Sequence, residues 1–148
     1  MAMTMNGEVQ LAAPRKAVWD KLNDPEVLKA SIPGCEELEK TDDQGFRATV
    51  KVKVGPVSAR FKGKVTLSDL DTPNGYRISG EGEGGVAGFA KGGANVALAE
   101  KDGGTLLSYN VEAQIGGKLA QLGQRLINGS AKKLADEFFA NFAKAVQG

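Results

Sequence analysis

Apolar and polar residues alternate strictly from Phe46 to Leu67. Phe46, Ala48, Val50, Val52 and Val54 share one phase, and Arg47, Thr49, Lys51 and Lys53 the other. After Gly55-Pro56 the alternation resumes, with Val57, Ala59, Phe61, Gly63, Val65 and Leu67 set against Ser58, Arg60, Lys62, Lys64 and Thr66. Successive side chains of a strand point to opposite faces, so this pattern predicts a hairpin with one apolar face. Its register checks itself. With Val54 opposite Val57, Val52 meets Ala59 and Val50 meets Phe61, so apolar faces apolar throughout. Similar periodicity predicts a strand at Val9 and Leu11, one running on from Cys35, and others at Tyr76–Gly84, Val86–Leu98 and Thr105–Ile115.

Two segments carry helical signals before the hairpin. APRKAVWDKL has Pro14, and NDPEVLKA has Pro25 after a cap candidate at Asp24; proline suits the start of a helix. Ile32-Pro33-Gly34 ends the second. Beyond Gly116 the period becomes helical: Leu119, Leu122, Leu126, Ile127, Leu134, Phe138, Phe139, Phe142 and Val146 form one stripe with Lys, Asp and Glu between them. The expected order is a strand, two short helices, a meander of six strands and one long amphipathic helix. An antiparallel sheet must cover its apolar face, and that helix is the cover. The expected class is α+β, a curved antiparallel sheet gripping a C-terminal helix.

The glycines change this picture. In phase with Tyr76 and Ile78 stand Gly80, Gly82 and Gly84, and one face of the next strand reads Val86, Gly88, Ala90, Gly92, Ala94. Where neighbouring strands place valine and phenylalanine, these place hydrogen atoms and methyls. Opposite them, Gly123 interrupts the helical stripe at a cost of roughly 1 kcal/mol relative to alanine. Glycine also relieves bending in a curled sheet. A whole inward face of small residues further predicts an apolar cavity, which a ligand would occupy. Its expected walls are Leu119, Leu122, Gly123, Leu126 and Ile127 on the helix and Gly82, Gly84, Gly88, Ala90 and Tyr109 on the sheet. In a meander, the turns at Gly55-Pro56, Gly84-Gly85 and Gly116-Gly117 share one rim, the expected mouth.

Composition narrows the chemistry. The 148 residues suffice for one domain, 1–148, and are 41% hydrophobic and 25% charged, with a formal net charge of +1. There is no histidine, which excludes serine–histidine and cysteine–histidine mechanisms and the commonest metal ligand. The single cysteine, Cys35, allows no internal disulfide and fits a reducing, cytoplasmic setting. The start lacks the charged and apolar regions of a secretory signal. Gly80-Glu81-Gly82-Glu83-Gly84-Gly85 has the form of a dinucleotide loop, but a strand rather than a helix follows, and two carboxylates would repel phosphate. Asn128-Gly129-Ser130 has the form of a glycosylation sequon but falls on the helix. Neither metal nor cofactor is expected.

One surface feature remains. On the hairpin's outer face Lys51 opposes Arg60 and Arg47 opposes Lys64, with Lys53 and Lys62 alongside; like charges across a ladder are destabilising. This face is either solvated and partly neutralised by Glu81 and Glu83, or a docking patch for an acidic protein or anionic lipid.

The segments PGCEEL, VGPVSARFKGKV, GGVAGFAKGGANVAL and YNVEAQIGGKLAQLGQRLI, followed by FFANF, resemble the carbon monoxide dehydrogenase G-subunit family from about Asn6 onward. That family belongs to the START-like (SRPBCC) superfamily with the helix-grip fold. The resemblance implies a non-catalytic accessory protein of molybdenum hydroxylases of the carbon monoxide dehydrogenase type. It also implies a lipophilic ligand, a prenylated quinone or lipid, and recruitment of the enzyme to the membrane. Some members carry a C-terminal hydrophobic anchor; this sequence ends at Gly148, so the expected contact is peripheral, at the inner membrane face. The competing readings are a small cofactor-free enzyme on the same fold (a cyclase, hydratase or hydrolase), with Tyr109 and Tyr76 as its polar groups, and a structural adaptor with a filled core.

Overall fold

The computed structural model describes residues 1–147. Strand β1 (Ala2–Leu11) leads into helices α1 (Arg15–Leu22) and α2 (Pro25–Ser31). Six strands follow: β2 (Cys35–Asp42), β3 (Gly45–Val54), β4 (Val57–Asp71), β5 (Gly75–Glu83), β6 (Phe89–Lys101) and β7 (Gly104–Gly116). Helix α3 (Gln124–Gln147) follows the last strand. All seven strands form one antiparallel sheet in the order β1-β7-β6-β5-β4-β3-β2, so the first strand pairs with the last.

Local chemistry sets the short elements. Asp24 caps α2, its carboxylate accepting from the Glu26 N–H at 2.9 Å, and Pro25 occupies a first-turn position that lacks a helical donor anyway. Pro14 precedes α1 in extended conformation. The hairpin register holds as the alternation predicts: Val54 pairs with Val57, Val50 with Phe61 and Lys51 with Arg60.

Two expectations are corrected at the glycine-rich end. The strand expected from Val86 begins at Phe89, because Gly85–Ala87 forms a 3₁₀ turn before it. Gly88, at φ +117°, ends that turn, and Val86 projects outward, 84% exposed. The helix expected from Gly116 begins only at Gln124. Leu119 precedes a separate 3₁₀ turn, Ala120–Leu122, and Gly123 at φ +94° breaks the chain between that turn and α3.

The core divides in two along α3. At its C-terminal end Phe142 is fully buried among Leu11, Val18, Trp19, Leu107 and Leu98. At its N-terminal end Ile127 packs with Met3, Val54, Ile115 and Leu119. Ile127 and Phe142 stand fifteen residues apart, roughly 22 Å along a helix axis. The stretch of helix between them meets the middle of the sheet.

Candidate ligand-binding cavity

Between the two packed clusters lies a cavity of about 470 Å³. Helix α3 contributes Ala135, Phe138 and Phe139; α2 and the residue after it contribute Leu28 and Ile32, and β2 contributes Leu38. The sheet supplies Met5, Val50, Phe61, Gly63, Val65, Ile78, Gly82, Ala94, Val96, Tyr109 and Val111 among others. Among the described residues, no charged side chain lines it. Small residues at facing positions make the space: Gly63 pairs with Gly82, and Ala135 offers only a methyl from the helix. Val50, Val65, Ile78, Val96 and Val111 point inward yet remain only half-buried, because they face this space instead of packed neighbours.

Aromatic contacts stiffen the walls. Tyr109 stacks on Phe139 with centroids 5.2 Å apart, Phe138 packs edge-on to Phe139 at 5.0 Å, and Trp19 meets Tyr76 edge-on at 5.2 Å. The Tyr109 ring lies over Gly7, its partner across the β1–β7 ladder, where the Cβ of any other residue would overlap the phenol. Burial pushes the Tyr76 hydroxyl far above its ordinary pKa, so it stays protonated.

Of the residues expected to line a cavity, Gly82 and Tyr109 do so. The others lie elsewhere. Leu119 and Ile127 are buried in the N-terminal cluster, with Leu122 and Ala90 packed against it. Leu126 is 39% exposed and covers Gly55. Gly123 faces open space. A Cβ at Gly84 would come within 2.7 Å of the Phe61 ring, and one at Gly88 would strike the Gly116 carbonyl. Gly84 and Gly88 permit close approach rather than opening a tunnel. Sequence reasoning missed Leu28 and Ile32 because α2 reads as a scaffold helix, and Leu38 because β2 carries little alternation. Ala135, small at an inward position between Leu134 and Phe138, was the available signal.

On the outer face, the basic hairpin is more neutralised than the pattern suggests. Arg60 pairs with Glu36 at 2.7 Å and Arg47 with Glu39 at 2.7 Å, both carboxylates coming from β2. The Arg60 hydrogen bond holds the Glu36 carboxyl below its usual range. Lys62 lies opposite Glu83 and Lys64 opposite Glu81 in the ladder. Lys51, Lys53, Lys62 and Lys64 take part in no ion pair among the described residues. An open depression of about 730 Å³ crosses this outer surface near Lys64, Arg77, Glu81 and Glu112. Its mixed charges, including an Arg77–Glu112 pair at 2.6 Å, suit a solvated face. The inner cavity has the apolar walls of a small-molecule site, and its volume falls in the usual range of about 300–1,000 Å³.

A curved antiparallel sheet closed on a long C-terminal helix around an apolar chamber is the helix-grip architecture of START-like proteins. The chain belongs to the carbon monoxide dehydrogenase G-subunit (CoxG) family, whose model matches residues 7–147. It is similar to a conserved protein from Geobacillus kaustophilus of known structure, at 32% identity and TM-score 0.91, covering 98% of this chain and 95% of that one. The fold alone is shared with Ara h 8.0201, at 15% identity, TM-score 0.68 and 99% coverage of each chain. It is also shared with the Zhui aromatase/cyclase from Streptomyces sp. R1128, at 13% identity, TM-score 0.71 and coverage of 99% and 94%. No curated protein matches the chain.

Proposed function

We propose that this chain is a non-catalytic carrier that holds a lipophilic molecule, a prenylated quinone or a lipid, in the cavity between α3 and the sheet. It serves a molybdenum hydroxylase of the carbon monoxide dehydrogenase type. The observation that carries this reading is the 470 Å³ chamber with apolar walls and the two tyrosines. An isoprenoid or acyl tail suits such a chamber, since each buried CH₂ contributes about 0.8 kcal/mol without directional bonding. Tyr109 offers one hydroxyl to a polar head. The family's association with carbon monoxide dehydrogenase supports the partner. The lysines at 51, 53, 62 and 64, together with Arg60, form the face assigned to that enzyme or to the membrane to which it is recruited.

The competing reading is a cofactor-free enzyme, favoured by the aromatase/cyclase that shares the fold. It needs converging acid and base groups. Among the described residues, the chamber walls include no carboxylate or lysine, and burial keeps the Tyr76 hydroxyl protonated. The carrier reading therefore leads.

Organic extraction of the protein purified under native conditions, followed by mass spectrometry, tests the carrier directly. A prenylated quinone or acyl lipid near stoichiometric amount is expected, with native masses showing its loss on extraction. Turnover of a polyketide, ester or amide that disappears in Tyr109→Phe would replace the carrier with the enzyme.

A further inference from the structure

The two flanks of α3 meet different parts of the fold. Phe139 stacks on Tyr109 of β7, whose ring also lies over Gly7, so this flank faces the β1–β7 side of the sheet. Asn141 marks the opposite flank. Its Nδ2 donates to the carbonyl of Ser31, the last residue of α2, at 3.1 Å. Residues two turns apart on a helix share a flank. Lys132 therefore lies on the Tyr109 flank, and Leu134 on the α2 flank.

The α2 flank is held near both ends and is loose between them. At the start of α3, Ile127 packs with Val54, the last residue of β3. Further along, Asn141 meets Ser31. Between these two points Leu134 is 37% exposed. Ile32 and Val50 line the chamber but, among the described residues, are packed against neither core cluster. Ile32 directly follows Ser31, and Val50 pairs with Cys35 at the start of β2, so both stand on this flank. β2 is an edge strand, and its ladder slips between Cys35 and Glu37, an irregularity common at sheet edges. The Tyr109 flank differs, because there a stacked ring spans from β1 to α3.

We propose that the ligand enters and leaves the chamber sideways through the α2 flank, between Ile32 and Val50 on one side and Leu134 on the other. An apolar chain passing here slides along aliphatic side chains and strips no polar group of its water. Passage requires α2 to part slightly from α3. Ser31 favours that movement. It is 1% exposed and its hydroxyl has no partner among the described residues, so opening returns an unsatisfied group to water. The proposal deepens the carrier reading and rests on it. Equilibrium affinity tests that reading and exchange rates test the entry route, so the two can fail separately.

Trp19, the single tryptophan, packs edge-on against Tyr76 in the chamber wall and reports occupancy through its fluorescence. The probes are a short-tailed ubiquinone, which quenches it, and cis-parinaric acid, which accepts its energy. In a Cys35→Ser background, Leu134→Cys and Lys132→Cys each supply one thiol for a bulky maleimide added after folding. Stopped-flow mixing gives entry rates, and trapping by excess cyclodextrin gives release rates. The label at Leu134 should slow entry and release by about ten-fold or more each, with Kd held within roughly two-fold, because an obstacle in the path alters neither end state. The same label at Lys132 should leave both rates as they are in the native protein. Saturable binding with rates unaltered by the Leu134 label, or slowed equally by the Lys132 label, would overturn the entry route and leave the carrier standing. Absence of binding of either probe by the native protein would overturn both.

Discussion

Gly123 holds φ +94° and ψ 156°, a region that side-chain-bearing residues scarcely enter. Nothing lies within 4 Å of where its Cβ would be, so the constraint is the backbone itself. Its carbonyl accepts from the Ile127 N–H at 3.2 Å, starting the α3 ladder. Gly123→Leu should therefore lower stability by roughly 1–3 kcal/mol, read from thermal or denaturant unfolding, and leave ligand affinity intact. A more stable variant would mean that the glycine is a dispensable defect. Cys35 is a second residue with a definite expectation. Burial pushes its thiol pKa up, outweighing the lowering by Lys29, and its Sγ donates to the Glu37 carbonyl at 3.3 Å. Less thiolate forms at mildly alkaline pH, so iodoacetamide should label the folded protein more slowly than a free thiol. Labelling at the rate of the unfolded chain would contradict this.

Helix α3 is pinned at two places and left loose between them. Phe142→Ala, at a fully buried site, should cost about 3–5 kcal/mol, because the surrounding core cannot close the cavity. Ala135→Leu should cost little or raise stability, since it adds apolar volume where space already exists. A loss at Ala135 as large as at Phe142 would show that the chamber is tightly packed. The strand pairing was legible in the sequence because period two over Phe46–Leu67 leaves only one register with apolar opposite apolar. Of the glycines that suggested a cavity, Gly82 lines one. The position of the chamber was not legible. Glycine serves equally for open space and for close backbone approach, and only the fold distinguishes Gly82, with ordinary neighbours at 3.7 Å, from Gly88, pressed on the Gly116 carbonyl. The start of α3 was misplaced for a related reason. Leu119 and Leu122 keep helical spacing through a 3₁₀ turn, so the stripe runs unbroken past a real break at Gly123.

At the scale of the molecule, the sheet, α2 and the middle of α3 enclose a space that two solid clusters hold open at either end. The packed ends supply the stability that a hollow centre cannot. Large dry cavities are unfavourable, which gives an apolar ligand a driving force for entry. Gly82 offers the most direct way to close the chamber without breaking the fold. Its backbone is ordinary, and a Cβ there would meet the Lys62 carbonyl at 3.7 Å and Gly63 Cα at 3.9 Å. The decisive measurement is a titration of native protein and Gly82→Leu with a prenylated quinone and with a fatty acyl probe, beside a melting curve for each. The account predicts saturable binding by the native protein, at least ten-fold weaker binding by Gly82→Leu, and a melting temperature held or raised. Absence of saturable binding to either class of ligand, or equal affinity in the filled variant, would contradict it.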